Sequence, residues 1–243
     1  MRTQGLAAAF GFLEQAGLKI TFPKFTRLCD SVFDHYAQVE SKEDKDIPDK
    51  TKYQSIVDKL FPKLPKAKRV ELAAGANKAF WGVATRNYPI RPSTKGALSH
   101  IKSRGLRMGI VSNHHNYDAL VGHLADTGIH SHFDVVLASE REGVRKPNPA
   151  IFSRSLEALN VDEEHAMFVG DSPRHDIVGA KAMGMRTVLI DDGAPRDSWM
   201  NPVGVEPSEA EPDYVIRDLL ELREIVDSLL GKPAKSRDPK GSQ

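Results

Sequence analysis

The sequence of 243 residues is poor in cysteine and has no long hydrophobic run. Its one cysteine, Cys29, excludes an internal disulfide and a thiolate metal cage. No apolar stretch approaches the ~18 residues of a membrane-spanning helix, and Met1-Arg2-Thr3 leads into no apolar signal segment. These absences predict a soluble protein of the reducing cytoplasm.

The chain also lacks an excess of charge of either sign. Its 34 basic and 33 acidic residues give a formal net charge of +1. A balance of this kind argues against nucleic acid or a membrane as a partner, because both select strongly basic surfaces. The length and the 40% of hydrophobic residues suffice for one α/β domain and a smaller second domain.

The first ninety residues show helical periodicity and no convincing strand. The predicted helices span residues 4–16, 24–39, 52–60 and 66–84. The charged segment 41–50 between the second and third helices is interpreted as a solvated linker. Asp30 and Asp34 on the second helix, and Asp44 and Asp46 in the linker, are interpreted as ordinary solvated acids.

Beyond Pro89 and Pro92, short apolar strands alternate with helices. The predicted strands are 108–112, 135–138, 166–169, 187–190 and 214–216, and the predicted helices are 94–103, 117–127, 149–159, 176–183 and 219–230. This alternation predicts an α/β fold, with a Rossmann-like parallel sheet and helices on both faces. Residues 191–213 are predicted to form a long loop, and residues 231–243 a disordered tail.

Two carboxylates follow the predicted strand 166–169. Gly170 permits a turn, Asp171 comes at the end of the strand, and Asp176 follows five positions later. Two bare carboxylates roughly 4 Å apart repel by about 4 kcal/mol at an effective dielectric of about 20, so such a pair shares a proton or holds a cation. Oxygen donors alone favour Mg²⁺.

Groups suited to a phosphate follow two other elements. Ser112 and Asn113 end the strand 108–112 and offer a hydroxyl and a backbone N–H to a phosphate oxygen. Lys146 precedes Pro147 at the start of a helix, where it can act as a point charge on a phosphate. Because ligands of parallel sheets bind at the carboxyl ends of the strands, these groups predict phosphoryl-transfer chemistry without a nucleophile.

Each of these residues also has a purely structural interpretation. Ser112 and Asn113 could cap the following helix, Lys146 could be a solvated surface lysine, and Asp176 could be a helix N-cap. His114 and His115 have no acidic partner at ligand spacing in the sequence, so they are not predicted to bind metal.

Three side chains near these groups are given other interpretations. His175, between the two acids, is expected to face solvent or substrate. Phe80 and Trp81 are expected to pack in the helical part of the chain.

Three segments resemble the motifs of a known family. IVSN, GVRKPNPAIF and FVGDSPRHDIVGAKAMGM resemble, in order, the second, third and fourth motifs of the haloacid dehalogenase (HAD) superfamily. The resemblance covers about residues 88–217. The helical residues before them are similar to the cap of these enzymes. The implied domains are a helix at 1–17, a helical cap at 18–87 and an α/β core at 88–230.

The resemblance implies a Mg²⁺-dependent phosphatase that acts on a small phosphorylated metabolite through an aspartyl-phosphate. It implies that Ser112, with the backbone amide of Asn113, binds the transferring phosphoryl group. Lys146 would steady the charge of the nucleophile and the phosphate. Asp171 would be the main protein ligand of Mg²⁺, and Asp176 would support the ion directly or through water.

The sequence departs from the family at its start. Family members begin with a strand that ends in D-x-D-x-T and supplies the nucleophile. No such strand is found here, and in the family it lies between the strands that would end at Ser112 and Asp171. We therefore expect the sequence to be shortened at its N-terminus, with a gap in the sheet. The alternative is a noncatalytic phosphate- or nucleotide-binding protein.

Overall fold

The structure is a computed structural model that describes residues 2–43, 46–85, 89–193 and 211–231. Four helices come first, namely α1 (Arg2–Gln15), α2 (Phe22–Glu43), α3 (Asp49–Leu60) and α4 (Lys66–Ala84). Strands and helices then alternate through α5 (Thr94–Ser103), β1 (Gly109–Ser112), α6 (Tyr117–Asp126), β2 (Val135–Ala138), α7 (Ser139–Glu142), α8 (Pro149–Leu159), β3 (Met167–Gly170), α9 (Gly179–Ala182), β4 (Arg186–Ile190), β5 (Tyr214–Ile216) and α10 (Leu222–Leu230). We call α1 to α4 the helical domain and the remaining elements the α/β domain.

The helical domain has one hydrophobic core to which all four helices contribute. Its fully buried members include Leu13, Phe25, Cys29, Tyr53, Ile56 and Ala76. Helices α1 and α4 approach closely because glycines face aromatic rings across the contact. A Cβ at Gly5 would lie 2.6 Å from the Phe80 ring, and a Cβ at Gly75 would overlap the Phe12 ring. Burial raises the pKa of Cys29 to about 12, so this thiol stays protonated and unreactive.

The prediction that residues 41–50 form a solvated linker is wrong. Helix α2 continues to Glu43, and α3 begins at Asp49. Asp46 and Asp49 are buried, so the interpretation of Asp46 as a solvated acid is also wrong. Asp44 lies outside the described residues. Asp34 is exposed as predicted, and Asp30, which forms an ion pair with Arg2, is half-exposed.

The described part of the α/β domain contains five parallel strands at nearly the predicted positions. Strand β1 pairs with β2, with Ser112 opposite Ala138, and β3, β4 and β5 form a second sheet. Along β3, Phe168 packs towards α8 and α9, whereas Met167 and Val169 pack towards β4, β5 and α10. The predicted α/β architecture with helices on both faces is therefore confirmed.

The sheet is divided into two parts. Among the described residues, β1 has only β2 as a partner and β3 has only β4, so each keeps one edge without a strand. This division agrees with the gap expected between the strands that end near Ser112 and Asp171.

Parts of two predicted segments lie outside the described residues. These are most of the loop at 191–213 and nearly all of the tail at 231–243. Among the helices that are described, none combines the length and apolar character needed to cross a bilayer.

Candidate active site

The carboxylate of Asp176 is buried under the end of β3. The side-chain oxygen Oδ2 accepts hydrogen bonds from the backbone N–H groups of Asp171 (3.1 Å) and Ser172 (2.9 Å). The side chain fits there because residue 170 is glycine, since a Cβ at Gly170 would lie 2.6 Å from the Asp176 Cβ. Asp176 therefore fixes the turn that carries Asp171.

Asp176 is not the N-cap of its helix. Ser172 has that position, and its hydroxyl accepts a hydrogen bond from the His175 N–H at 3.2 Å. The helix begins as a π-helical turn at Pro173–Val178, so the predicted helix 176–183 starts three residues early. Asp171 itself is exposed, and among the described residues its carboxylate has no hydrogen bond or ion pair.

Lys146 is an internal residue rather than a solvated surface lysine. Its side chain is 11% exposed, and its ammonium nitrogen lies 2.6 Å from Asp176 Oδ1. The same nitrogen lies 5.3 Å from the centroid of the Phe168 ring on β3. The loop before α8 thus delivers one positive charge to the acidic end of β3. Because burial of an unpaired charge is costly, Lys146 and Asp176 stabilise each other as ions.

Asn113 links the end of β1 to the lysine loop. Its side-chain Oδ1 accepts a hydrogen bond from the Lys146 N–H (2.7 Å), and its Nδ2 donates one to the Lys146 carbonyl (3.0 Å). Helix α6 is capped by Asn116, whose side chain accepts from the Ala119 N–H. The alternative in which Ser112 and Asn113 cap α6 is therefore wrong.

Four of the five predicted site residues are brought together by these contacts. Asn113 holds Lys146, Lys146 pairs with Asp176, and Asp176 holds the backbone of Asp171. Ser112 is half-buried at the end of β1 and is linked to the group through its neighbour Asn113. The exposed carboxylate of Asp171 supplies oxygen atoms of the kind that a hard cation such as Mg²⁺ prefers, whereas the Asp176 carboxylate is already paired with Lys146.

His175 lies on the same turn as the two acids. Its Nδ1 is 3.1 Å from Ser172 Oγ. Burial lowers the pKa of His175 to about 4, and the neighbouring charge of Arg145 acts in the same direction. The imidazole is therefore neutral near pH 7, and it adds no charge to the ion pair of Lys146 and Asp176.

A second charged cluster lies where the helical domain meets the loops after β1 and β2. The His115 Nδ1 is 2.5 Å from Asp46 Oδ1, and the Ser139 hydroxyl donates to Asp46 Oδ2 at 2.7 Å. This partner of His115 was not predicted, because Asp46 is distant from it along the chain. The sequence gives one indication of this cluster, namely that Asp46, Asp49 and Lys52 follow one another at intervals of three residues near the start of α3.

Lys52 provides the cation at the centre of this cluster. Its ammonium nitrogen is 2.9 Å from Glu40 Oε1 and 3.4 Å from both Asp49 Oδ1 and His115 Nδ1. Ligating atoms of Glu40, Asp46 and His115 lie within 4.8 Å of one another, as in a metal site. Because the lysine ammonium already lies among them, the cluster is an internal ion network rather than a metal site.

His114 and Trp81 form an adjacent apolar contact between the two domains. Their ring centroids are 4.7 Å apart, and the Trp81 Nε1 donates to Asp49 Oδ2 at 3.1 Å. Burial and the positive charge of His115 together lower the pKa of His114 to about 4. Phe80 lies in the core of the helical domain and Trp81 packs against it, as predicted.

Comparison with known proteins identifies a family. The model of one family, described as a hydrolase and as haloacid dehalogenase-like hydrolase, matches residues 23–184. The matched range contains every predicted site residue and most of the helical domain.

Several relatives of similar sequence have phosphatase names. Phosphoserine phosphatase of Thermus thermophilus is 35% identical over 140 residues, which are 56% of this chain and 51% of that protein. Glyceraldehyde 3-phosphate phosphatase of Methanothermobacter thermautotrophicus is 32% identical over 139 residues, 56% of this chain and 54% of that protein. The chain thus matches about half the length of these relatives.

Solved structures share the fold. A 2-haloacid dehalogenase of Pseudomonas syringae superposes with a TM-score of 0.71 at 20% identity and covers 93% of this chain and 90% of that one. A HAD phosphatase of Thermococcus onnurineus superposes with a TM-score of 0.51 at 26% identity over 72% of this chain and 87% of that one.

Proposed function

The chain belongs to the haloacid dehalogenase-like hydrolases, and from this premise we propose that it is a Mg²⁺-dependent phosphatase of small phosphorylated metabolites. The phosphatase names of the related proteins support the reaction type. The observation that carries the proposal is the ion pair of Lys146 with Asp176, since the same Asp176 carboxylate also accepts a hydrogen bond from the backbone N–H of the exposed Asp171. The predicted location remains the cytoplasm.

The proposed roles of the two aspartates follow from which of their carboxylate oxygens already have partners. Both oxygens of Asp176 already have partners, so Asp171 offers the direct carboxylate ligand to Mg²⁺ and Asp176 supports the ion through water. When bound, Mg²⁺ would neutralise charge on the phosphoryl group. Lys146 adds a second positive charge, and Ser112 with the Asn113 N–H binds a phosphoryl oxygen.

The proposed reaction needs an attacking carboxylate, which forms an aspartyl-phosphate that water then hydrolyses. Among the described residues, the site supplies no such group beyond Asp171 and Asp176. The strand-free edges of β1 and β3 support the proposal that the attacking aspartate is carried on a strand that pairs between them. The helical domain would then act as a cap that excludes water from the site.

The test is a phosphatase assay with p-nitrophenyl phosphate and a panel of small phosphorylated metabolites, with and without Mg²⁺. It is run on residues 1–243 and on a version extended by the codons that precede Met1 in the gene. We expect Mg²⁺-dependent hydrolysis by the extended version, and a loss of at least about 100-fold for Asp171→Asn. The matched control is Asp162→Asn, because Asp162 is an exposed acid remote from the site.

A second candidate, a noncatalytic phosphate-binding protein, is favoured by the unpaired edges of β1 and β3. It predicts that neither version hydrolyses any substrate, while inorganic phosphate or a nucleotide still binds and Lys146→Gln weakens that binding. Hydrolysis by the unextended chain would instead contradict our assignment of the nucleophile to an additional strand.

A further inference from the structure

Polar contacts between the two domains are concentrated around His115. Asp46 pairs with His115 and accepts from Ser139, and the Asp49 N–H donates to the His115 carbonyl at 3.3 Å. At the edge of the same contact, Lys50 lies 3.1 Å from Glu140. The loop that carries His115 begins at the end of β1. The two domains are therefore joined at the loops that follow β1 and β2.

When Glu40, Asp46 and Asp49 are all ionised, the charges around His115 balance only if its imidazole is protonated. The carboxylates that face the cluster are Glu40 from α2, Asp46 from the segment before α3, and Asp49 from α3. The other cations are Lys52 from α3 and Arg145 from the loop before α8, the latter 3.6 Å from Glu40. These acids are buried, so loss of the imidazolium charge would leave an uncompensated carboxylate inside the contact.

We propose that this network is a pH-dependent latch, in which protonated His115 holds the helical domain against the α/β domain through Asp46 and neutral His115 releases it. His115 lies in the loop that follows Ser112 at the end of β1. Opening of the latch therefore also removes contacts of the helical domain with this loop. Neither step requires a ligand or a metal ion.

The direction of the pH dependence follows from the environment of His115. Burial by itself would lower the pKa of His115, but the hydrogen bond with Asp46 and the charges of Asp49 and Asp46 raise it above 6.5, against the effect of Lys52. In the open form the exposed imidazole has an ordinary pKa. The closed form therefore binds the additional proton, and opening increases as the pH rises through the raised pKa.

The pKa values of the two aspartates of the latch are shifted in opposite directions. Burial opposes ionisation of Asp46, but the hydrogen bond with His115 and the charges around it lower the pKa of Asp46 to about 2. Burial raises the pKa of Asp49, against the charges of His115 and Lys52. Asp46 therefore stays ionised wherever His115 is titrated, and the histidine controls the alkaline opening.

Trp81 provides a fluorescence measurement of latch opening. It packs against the His114 ring of the other domain, and His114 stays neutral above about pH 5, so its titration does not disturb the emission. In a Trp199→Phe background, Trp81 is the only tryptophan. Between about pH 6 and about pH 9 we expect its emission to shift to longer wavelength, because opening exposes the ring to water, while the far-ultraviolet circular dichroism stays constant.

The His115→Gln variant, which carries no charge, should show the shifted emission already at about pH 6 and no further change with pH. His165→Gln, which changes an exposed histidine of the α/β domain, should titrate like its parent. A parent whose emission does not depend on pH would overturn the latch. A His115→Gln variant that keeps the full titration would overturn it as well.

A second variant, Asp46→Asn, tests the proposal independently in case His115→Gln does not fold. Asp46→Asn keeps the shape of the side chain and the contact with Ser139, but it removes the charge that raises the pKa of His115. The opening transition should therefore move to lower pH. Small-angle X-ray scattering of the whole chain should show a larger radius of gyration on the alkaline side. Equal radii across the transition, or an unmoved transition in Asp46→Asn, would contradict the proposal.

Discussion

At the scale of single residues, the site depends on the absence of a side chain at position 170. The Asp176 carboxylate occupies the space that a Cβ at Gly170 would need, and it holds two backbone N–H groups there. The sequence analysis assigned Gly170 to a turn. The actual reason is close packing, which depends on where Asp176 points and is not visible in residue spacing.

We predict that Gly170→Ala destabilises the protein by about 1 to 3 kcal/mol, because the new methyl group overpacks the site. Urea denaturation would measure this change in the free energy of unfolding. Gly122→Ala is the control, since Gly122 lies on the exposed surface of α6 and a Cβ there would meet nothing within 4 Å. That control should stabilise α6 by about 0.5 to 1 kcal/mol. Equal effects at the two glycines would refute the packing argument.

The ion pair of Lys146 and Asp176 gives a second prediction at this scale. Lys146→Gln removes one partner and leaves the buried Asp176 carboxylate without its cation, so we expect a loss of about 3 to 5 kcal/mol in the free energy of unfolding. Lys68→Gln breaks the exposed pair with Glu71 and should cost less than about 0.5 kcal/mol. Urea denaturation near neutral pH would measure both. A loss no larger than that of Lys68→Gln would mean that Lys146 is effectively solvated.

At the scale of elements, periodicity was sufficient for most helices and strands. Helix α4 has the predicted bounds because a continuous apolar face extends along its whole length. Strand β5 has the predicted bounds because it is a short apolar run. The start of the helix after β3 was misplaced, since a π-helical turn capped by Ser172 has no periodic signature. The end of α2 was misplaced because its charged last turn resembles a linker.

Asn113 shows which features of the site can be predicted from the sequence and which cannot. The motif order suggested that its backbone N–H binds phosphate, and that role remains a proposal. The two hydrogen bonds of its side chain to Lys146 join segments far apart in the chain, so no local pattern could indicate them. The residue types at the site were thus predictable, whereas the contacts that position them were not.

We predict that Asn113→Ala lowers the free energy of unfolding by about 1 to 3 kcal/mol, because the polar backbone groups of Lys146 lose their partners. Asn113→Asp should cost less, since its carboxylate can still accept from the Lys146 N–H, although it repels the carbonyl. Thermal denaturation of both variants would provide the comparison. If Asn113→Asp proved the more harmful change, the acceptor role of Asn113 would be wrong.

At the scale of the whole molecule, the fold class followed from alternating strands and helices, but the contact between the two domains did not. Asp46 and His115 come from different domains, and each alone has the sequence context of a surface residue. Only the folded chain brings Glu40, Asp46 and Asp49 around Lys52. A charged segment was therefore read as solvated when it is one side of an internal network.

This burial gives the whole chain a characteristic pH dependence on the acid side. The pKa of His114 is lowered to about 4 by burial against Trp81 and by the charge of His115. The unfolded chain binds a proton at His114 near its usual value of 6.5, whereas the folded chain resists protonation. The stability due to the neutral ring is fully present above that value and is lost as the pH falls towards 4.

We therefore predict that the free energy of unfolding falls by about 1 kcal/mol per pH unit between about pH 6 and about pH 4.5 through His114 alone. Urea denaturation at several pH values would measure the slope. In His114→Gln the slope should be smaller by that amount, because the glutamine binds no proton in either state. In His165→Gln, which changes an exposed residue, the slope should match that of the parent. Identical slopes in His114→Gln and the parent would mean that the His114 ring is protonated as readily in the folded chain as in the unfolded one, and that its contact with Trp81 does not exclude water.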